Sequence, residues 1–286
     1  MPVYFRKLLR YCTAALCVLT AASGAFLFLA LRTEYDIALR HFVQDASLPL
    51  IPAILCILGC ALTIVPAITA AAKKIEVIPA QNASAAVFSA TLLGFLLFAS
   101  FIMDIRALAD AGLSWFARIL PALGGLSAFY FLAIATRKET ASPSAIPALL
   151  SLIPILYAFL SVMNTYFDTS YAMNAPVKSY ELMTYLSMAL FFTAEARLTL
   201  GRQKTSVYCL FTGLCLVMCG TVGIAELILA LLSPSYGFTL MESAVSLVCA
   251  IFAAVRLFSL DEIPPAPLKT EETSDKSEEA SDEANG

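Results

Sequence analysis

Eight apolar runs alternate with short polar segments along the first 260 residues of the 286-residue chain. A helix needs about 20 apolar residues to cross the roughly 30 Å hydrocarbon core of a bilayer, and the runs meet that length. The predicted crossings are 11–31, 49–72, 84–103, 114–136, 144–163, 179–199, 205–232 and 238–259. The pattern therefore predicts an all-α fold, a polytopic transmembrane helical bundle with eight membrane-spanning helices.

The composition supports this prediction. Hydrophobic residues make up 60% of the chain and charged residues 14%, compared with about 45–50% and about 25% in soluble domains. The connections between the runs are too short to fold as separate domains. Any functional site is therefore expected between the helices or at their ends.

Lysine and arginine are unevenly distributed between the two predicted sides, and cytoplasmic flanks carry an excess of both. With the N-terminus inside, 13 of the 18 lie on the cytoplasmic side: Arg6, Lys7, Arg10, Lys73, Lys74, Arg137, Lys138, Arg197, Arg202, Lys204, Arg256, Lys269 and Lys276. The predicted location is a plasma membrane with both termini cytoplasmic. The short loops are typical of a bacterial protein.

The N-terminal run resembles a secretory signal because Arg6, Lys7 and Arg10 precede it. The run continues to Leu31, which is longer than the 7–15 residues of a usual signal core. We interpret it as an uncleaved anchor within a transmembrane domain of residues 1–260. The alternative is cleavage after the small residues 21–24, which would leave seven crossings.

Residues 261–286 have a different composition, with nine acidic residues against two lysines and no aromatic residue. Such a segment cannot bury enough apolar surface to fold, so it is predicted to be a disordered acidic cytoplasmic tail. The tail is interpreted as a solvated extension. The alternative is a docking segment for a basic cytoplasmic protein partner.

All eight cysteines fall within predicted helices, and none lies in an outer loop where a structural disulfide would form. Cys56 and Cys60, like Cys215 and Cys219, are spaced i, i+4 and so share a helix face. Four thiolates could hold a soft metal, but the chain has no CxxC spacing and its single histidine, His41, is predicted in an outer loop. The pattern favours packing by small apolar thiols. We expect no metal centre and no cofactor.

Polar residues gather at the outer ends of predicted crossings three to eight. Glu226 follows Thr205 by roughly 31 Å of helix, and Glu242 enters the eighth crossing at nearly the same level. The other candidates for a substrate or ion pathway at this level are Asp104, Arg106, Arg118, Asn164, Asp168, Asn174 and Lys178. Because a charge in the membrane costs at least ~2.5 kcal/mol, these residues are the candidates for a functional cluster. For the loop residues 164–181 the favoured interpretation is an ordinary interfacial belt, and the alternative is a cap over an outward-facing pocket.

Glu195 and Arg256 lie near the predicted inner ends of crossings six and eight. An ion pair between them would neutralise both charges and join the two helices, which is the interpretation we favour. The alternative makes Glu195 a proton or cation site that opens when the pair breaks.

The chain has no HExxH, Gly-x-Ser-x-Gly or P-loop motif. No catalytic residue is predicted, although carboxylate chemistry on a lipid substrate stays open. The acidic tail argues against nucleic-acid binding. The favoured interpretation is a permease-like carrier of a small solute or ion. The alternative is a non-transporting membrane sensor or an assembly protein, and the sequence does not indicate its oligomeric state.

Overall fold

The structure, a computed structural model, is a bundle of eight long helices. It describes residues 2–37, 41–43, 45–75, 77–79, 84–105, 115–136, 149–169, 175–200, 204–233, 236 and 238–262. The helices are α1 Pro2–Thr33, α2 Leu50–Ala72, α3 Ser84–Asp104, α4 Trp115–Thr136, α5 Leu152–Phe167, α6 Pro176–Thr199, α7 Thr205–Leu232 and α8 Leu240–Phe258. The predicted all-α class is confirmed.

Six of these helices are long and apolar enough to cross a membrane. They are α1, α2, α3, α4, α7 and α8. Their outward surfaces carry exposed large apolar side chains such as Ile57, Phe95 and Phe129. Contact of these side chains with water is unfavourable, whereas contact with the apolar chains of lipids is not. The helices thus indicate a membrane-embedded protein.

Helices α5 and α6 do not meet the same criterion. Helix α5 is apolar but has 16 residues, about 24 Å of helical rise. It ends at Phe167, beyond the predicted end of the fifth crossing, and residues 144–148 of that crossing lie outside the described residues. Helix α6 has 24 residues but includes Lys178, Glu181, Glu195 and Arg197. Whether α5 and α6 also count as crossings therefore depends on whether they pack alongside the six apolar helices.

Helices α3 to α8 form a closed ring. Each packs against the next one along the chain, and α8 packs back against α3. Helices α1 and α2 lie outside the ring and pack on each other and on α7. Helix α7 consequently has neighbours on both sides in the ring and two more behind it, and α7 and α8 are the most buried of the six candidate crossings.

Small residues allow α7 to approach its neighbours closely. A Cβ added to Gly223 would lie 2.5 Å from the backbone nitrogen of Leu247 in α8. A Cβ added to Gly24 in α1 would lie 2.8 Å from the Cβ of Ile224. Both distances are shorter than atoms tolerate, so glycine is required for these two contacts. Such close backbone packing is how helices associate in lipid.

Two short antiparallel strand pairs close opposite ends of the bundle. Strand β1 (Tyr35–Asp36) pairs with β2 (His41–Phe42), and β3 (Val77–Pro79) pairs with β4 (Leu260–Glu262). The sequence analysis did not predict them because two or three residues show no alternating pattern. Strand β4 contains Asp261 and Glu262, the first two residues of the predicted tail. Residues 263–286 lie outside the described residues.

Candidate functional site

The ring encloses an open cavity at the end of the bundle that carries β1 and β2. Two adjoining spaces of about 210 and 190 Å³ share five lining residues. Together they fall in the range of about 300–1,000 Å³ that small-molecule sites occupy. The shared residues are Asn164, Thr165, Tyr185, Thr239 and Glu242. Every helix of the ring contributes to the lining, so the cavity depends on the whole ring.

Five carboxylates from five elements line this cavity. They are Asp104 on α3, Asp168 after α5, Glu181 on α6, Glu226 on α7 and Glu242 on α8. None of the described lining residues is lysine, arginine or histidine. Asp104 and Glu242 are exposed, whereas Glu226 is half-buried and lies within electrostatic range of Glu181 and Glu242. The lining is therefore acidic, which favours cations over anions.

Hydroxyl groups position three of these carboxylates. Thr239 Oγ1 donates to Glu242 Oε2 over 2.6 Å. Ser100 Oγ donates to Asp104 Oδ2 over 3.3 Å, and Ser243 Oγ donates weakly to Glu226 Oε2 over 3.5 Å. These hydroxyl donors orient the carboxyl oxygens and add no charge of their own to the site.

The predicted pathway residues form three groups: residues that line the cavity, residues that are described but do not line it, and residues outside the described part of the chain. Glu226, Glu242, Asp104, Asn164 and Asp168 line the cavity.

Arg118 and Lys178 are described but are not among the lining residues. Lys178 is 1% exposed, and its Nζ donates to the backbone oxygen of Asp168 over 2.7 Å. It thus ties the start of α6 to the end of α5. Arg106 and Asn174 lie outside the described residues.

Sequence reasoning missed several lining residues. Glu181 falls at the start of the predicted sixth crossing and was not among the predicted pathway residues. Its signal was available, since Thr184 and Tyr185 follow it at i+3 and i+4 and all three line the cavity. Ser246 follows the predicted residue Glu242 at i+4 and so shares its helix face. Tyr157 lies on α5, which contains no charged residue, and only the packing of the ring reveals it.

Pro121 and Gly124 of α4 also line the cavity. A proline inside a helix removes one backbone hydrogen bond and is compatible with a membrane helix where neighbours or a cavity accommodate the irregularity. The interrupted part of α4 therefore faces the site rather than a flat helix contact.

Aromatic side chains fill the ring on the side of the cavity away from the β1–β2 end. This aromatic layer consists of Tyr130 and Phe131 on α4, Phe191 and Phe192 on α6, and Phe252 on α8. The centroid of the Phe131 ring lies 5.6 Å from that of Phe192 and 6.0 Å from that of Phe252. Helices α4, α6 and α8 are not adjacent in the ring, so these contacts cross its interior. All five side chains are buried, and they fill the interior of the ring below the cavity.

A buried ion pair lies beyond the aromatic layer. Arg256 Nε donates to Glu195 Oε1 over 2.9 Å, and Arg256 Nη2 donates to Glu195 Oε2 over 2.6 Å. The Tyr208 hydroxyl also donates to Glu195 Oε1. Glu195 is 0% exposed and Arg256 is 6% exposed. The structure thus brings together the two residues of the predicted inner pair and adds Tyr208 to them. The three side chains together join α6, α7 and α8.

No protein-family model, curated protein or solved structure matches this chain. The interpretation of the site therefore depends on its own residues: an acidic cavity at one end, an aromatic layer beneath it and a bidentate ion pair at the other end.

Proposed function

We propose that the chain is a plasma-membrane protein with eight crossings and both termini on the cytoplasmic side. The charged residues of α6 support counting it as a crossing, because Lys178 and Glu195 are 1% and 0% exposed and therefore do not face lipid. Helix α5 packs between α4 and α6 in the ring. The excess of lysine and arginine near the β3–β4 end supports the orientation.

We further propose that the protein is a carrier for a small cation, either inorganic or bearing an amine. The single observation that carries this proposal is the cavity lined by five carboxylates and closed by the aromatic layer. In the proposed orientation the cavity opens to the outside. A cation entering it would relieve the mutual repulsion of the carboxylates, which gives binding a driving force without any recognition of shape.

Transport in this proposal requires the closed half of the ring to open. The contacts that would separate are the aromatic layer and the pair of Glu195 with Arg256. Alternating access of this kind moves one group of helices against another around a fixed site. The described conformation would then be the outward-open one, and the ion pair would stabilise its closed inner end.

We propose that residues 261–286 form an acidic cytoplasmic extension, of which Asp261 and Glu262 belong to β4. Its composition suits contact with a basic protein partner. We propose no role for it in the cavity, since β4 lies at the opposite end of the bundle.

Current measurements on proteoliposomes test the carrier proposal. We expect the full chain to give currents with at least one of Na⁺, K⁺, NH₄⁺, Mg²⁺, Mn²⁺, choline and ethanolammonium, because its cavity favours cations. Protein-free liposomes are the control, and acetate and phosphate gradients should give no protein-dependent current. Absence of current with all seven cations would overturn the carrier proposal.

The alternative function is a membrane sensor that binds a cation without moving it. The filled inner half of the ring favours this alternative, since the aromatic layer leaves no continuous path. A sensor would be stabilised against heat by one of the same cations and would give no current. The two measurements on one preparation therefore separate the functions.

A further inference from the structure

Three cysteine thiols meet in the interior of the bundle. Cys215 and Cys219 are on α7, and Cys249 is on α8. The Sγ atom of Cys215 lies 3.6 Å from that of Cys219 and 3.7 Å from that of Cys249. All three sulfur atoms lie within 4.8 Å of one another, and all three residues are 0% exposed. We call these residues the thiol cluster.

The distances in the thiol cluster suit a shared metal ion. Three sulfurs placed about 2.3 Å from one centre, the usual metal–thiolate bond length, lie about 4 Å apart. The observed separations are close to this value, so small side-chain rotations would bring the three sulfurs around one ion. Packing alone does not require three thiols from two helices to converge on one point.

The chemistry of the cluster favours a soft monovalent ion. Among the described residues, no fourth cysteine, histidine or carboxylate joins the three sulfurs. Two neutral oxygens lie near Cys219 Sγ: Ser187 Oγ at 3.6 Å and the backbone oxygen of Thr184 at 3.8 Å. Zinc prefers four charged or imidazole ligands in a tetrahedron. Cu(I) is favoured by sulfur ligands and has a lower charge to neutralise, so it is the better match.

The thiol cluster lies directly beneath the acidic cavity. The deepest cavity residues on α6, α7 and α8 include Thr184, Val222 and Ser246. One helical turn further from the cavity mouth, the same three helices present Ser187, Cys219 and Cys249. An ion collected by the five carboxylates would thus reach the thiols across a single layer of side chains. A metal site needs such an entry path.

We propose that Cys215, Cys219 and Cys249 form a Cu(I) site reached through the acidic cavity. Binding forms two copper–thiolate bonds and a third contact to the remaining thiol, and it releases two protons to water in the cavity. Copper stays in the +1 state, so no electron is transferred. The net charge of the bound site is −1, which limits the cost of burying it. This proposal concerns binding and does not depend on transport.

Competition with the Cu(I) chelator bicinchoninate, on the full chain in detergent under anaerobic conditions, tests the proposal. We expect one Cu(I) per chain and an affinity at least 100-fold lower in each of C219S and C249S. The matched control is C209S, which removes a buried α7 thiol outside the cluster and should bind as the natural chain does. Absence of binding by the natural chain, or undiminished binding by a C215S/C219S/C249S variant, would overturn the proposal.

Alkylation of the natural chain gives a second test that does not depend on a variant folding. Cu(I) should slow the reaction of a membrane-permeant maleimide with Cys215, Cys219 and Cys249 at least tenfold, read by mass spectrometry of the peptides. Cys17 and Cys60 should react at the same rate with and without copper. Protection of these two thiols instead of the cluster would contradict the proposed site. Copper binding without cation currents would support this site and overturn the carrier proposal. Cation currents without copper binding would support the carrier proposal and overturn this site.

Discussion

Glu195→Ala is expected to be the most destabilising single substitution in the chain. It leaves Arg256, a residue that is 6% exposed in the natural chain, without its bidentate partner. It also removes the acceptor of the Tyr208 hydroxyl. Removing one member of a buried ion pair costs about 3–5 kcal/mol. The unfolding temperature of the purified protein in detergent should fall accordingly.

Two further variants make this expectation specific. Adding Arg256→Ala to Glu195→Ala should restore part of the lost stability, because no charge is then buried without a partner. Arg197→Ala removes an exposed charge on the same helix and should change the free energy of unfolding by less than about 0.5 kcal/mol. If the double variant is no more stable than Glu195→Ala alone, the loss of stability does not come from leaving Arg256 without its ion-pair partner.

Glu226→Gln is expected to reduce cation currents at least tenfold. Glu226 is half-buried in the cavity, one turn above Val222 on α7, with Glu181 and Glu242 within electrostatic range. The amide has nearly the same shape but removes one charge and presents N–H donors that repel a cation. Glu242→Gln should reduce the current less, because the exposed Glu242 is more strongly screened by water and salt.

Asp45→Asn is the matched control for Glu226→Gln. Asp45 is an exposed carboxylate at the same end of the bundle, outside the cavity, with a φ of 70° that asparagine also adopts readily. Its replacement should leave the currents unchanged. Equal currents in Glu226→Gln and the natural chain would remove Glu226 from the pathway.

The all-α class was predictable because each long apolar run encodes its own helix. The ion pair of Glu195 with Arg256 was also open to sequence reasoning, since two opposite charges near the same end of two apolar helices have few other partners. By contrast, the ring order was not predictable. The packing of α8 against α3 joins elements more than 130 residues apart, and no local pattern reports such a contact.

The thiol cluster illustrates the same limit. The spacing of Cys215 and Cys219 was visible as one helix face, but their third partner, Cys249, comes from the next helix and becomes adjacent only when α7 and α8 pack. The aromatic layer depends likewise on contacts among three helices that are not adjacent in the ring. Sequence reasoning identified the helix face that Cys215 and Cys219 share, but it did not identify the residues that pack against that face.

The central claim is that water enters an acidic cavity from outside the cell and stops at the aromatic layer. The most direct measurement is labelling of Glu226→Cys by a membrane-impermeant maleimide on intact cells, with the natural chain as the blank, since its eight cysteines are all buried or half-buried. Ile102→Cys, on the outward face of α3, is the lipid-facing control. Lys74→Cys, near the β3–β4 end, reports the other side of the membrane. We predict labelling at Glu226→Cys, little at Ile102→Cys, and labelling of Lys74→Cys only after the cells are permeabilised. Protection of Glu226→Cys on intact cells, combined with labelling after permeabilisation, would contradict the proposed orientation, and protection under both conditions would contradict the water-filled cavity itself.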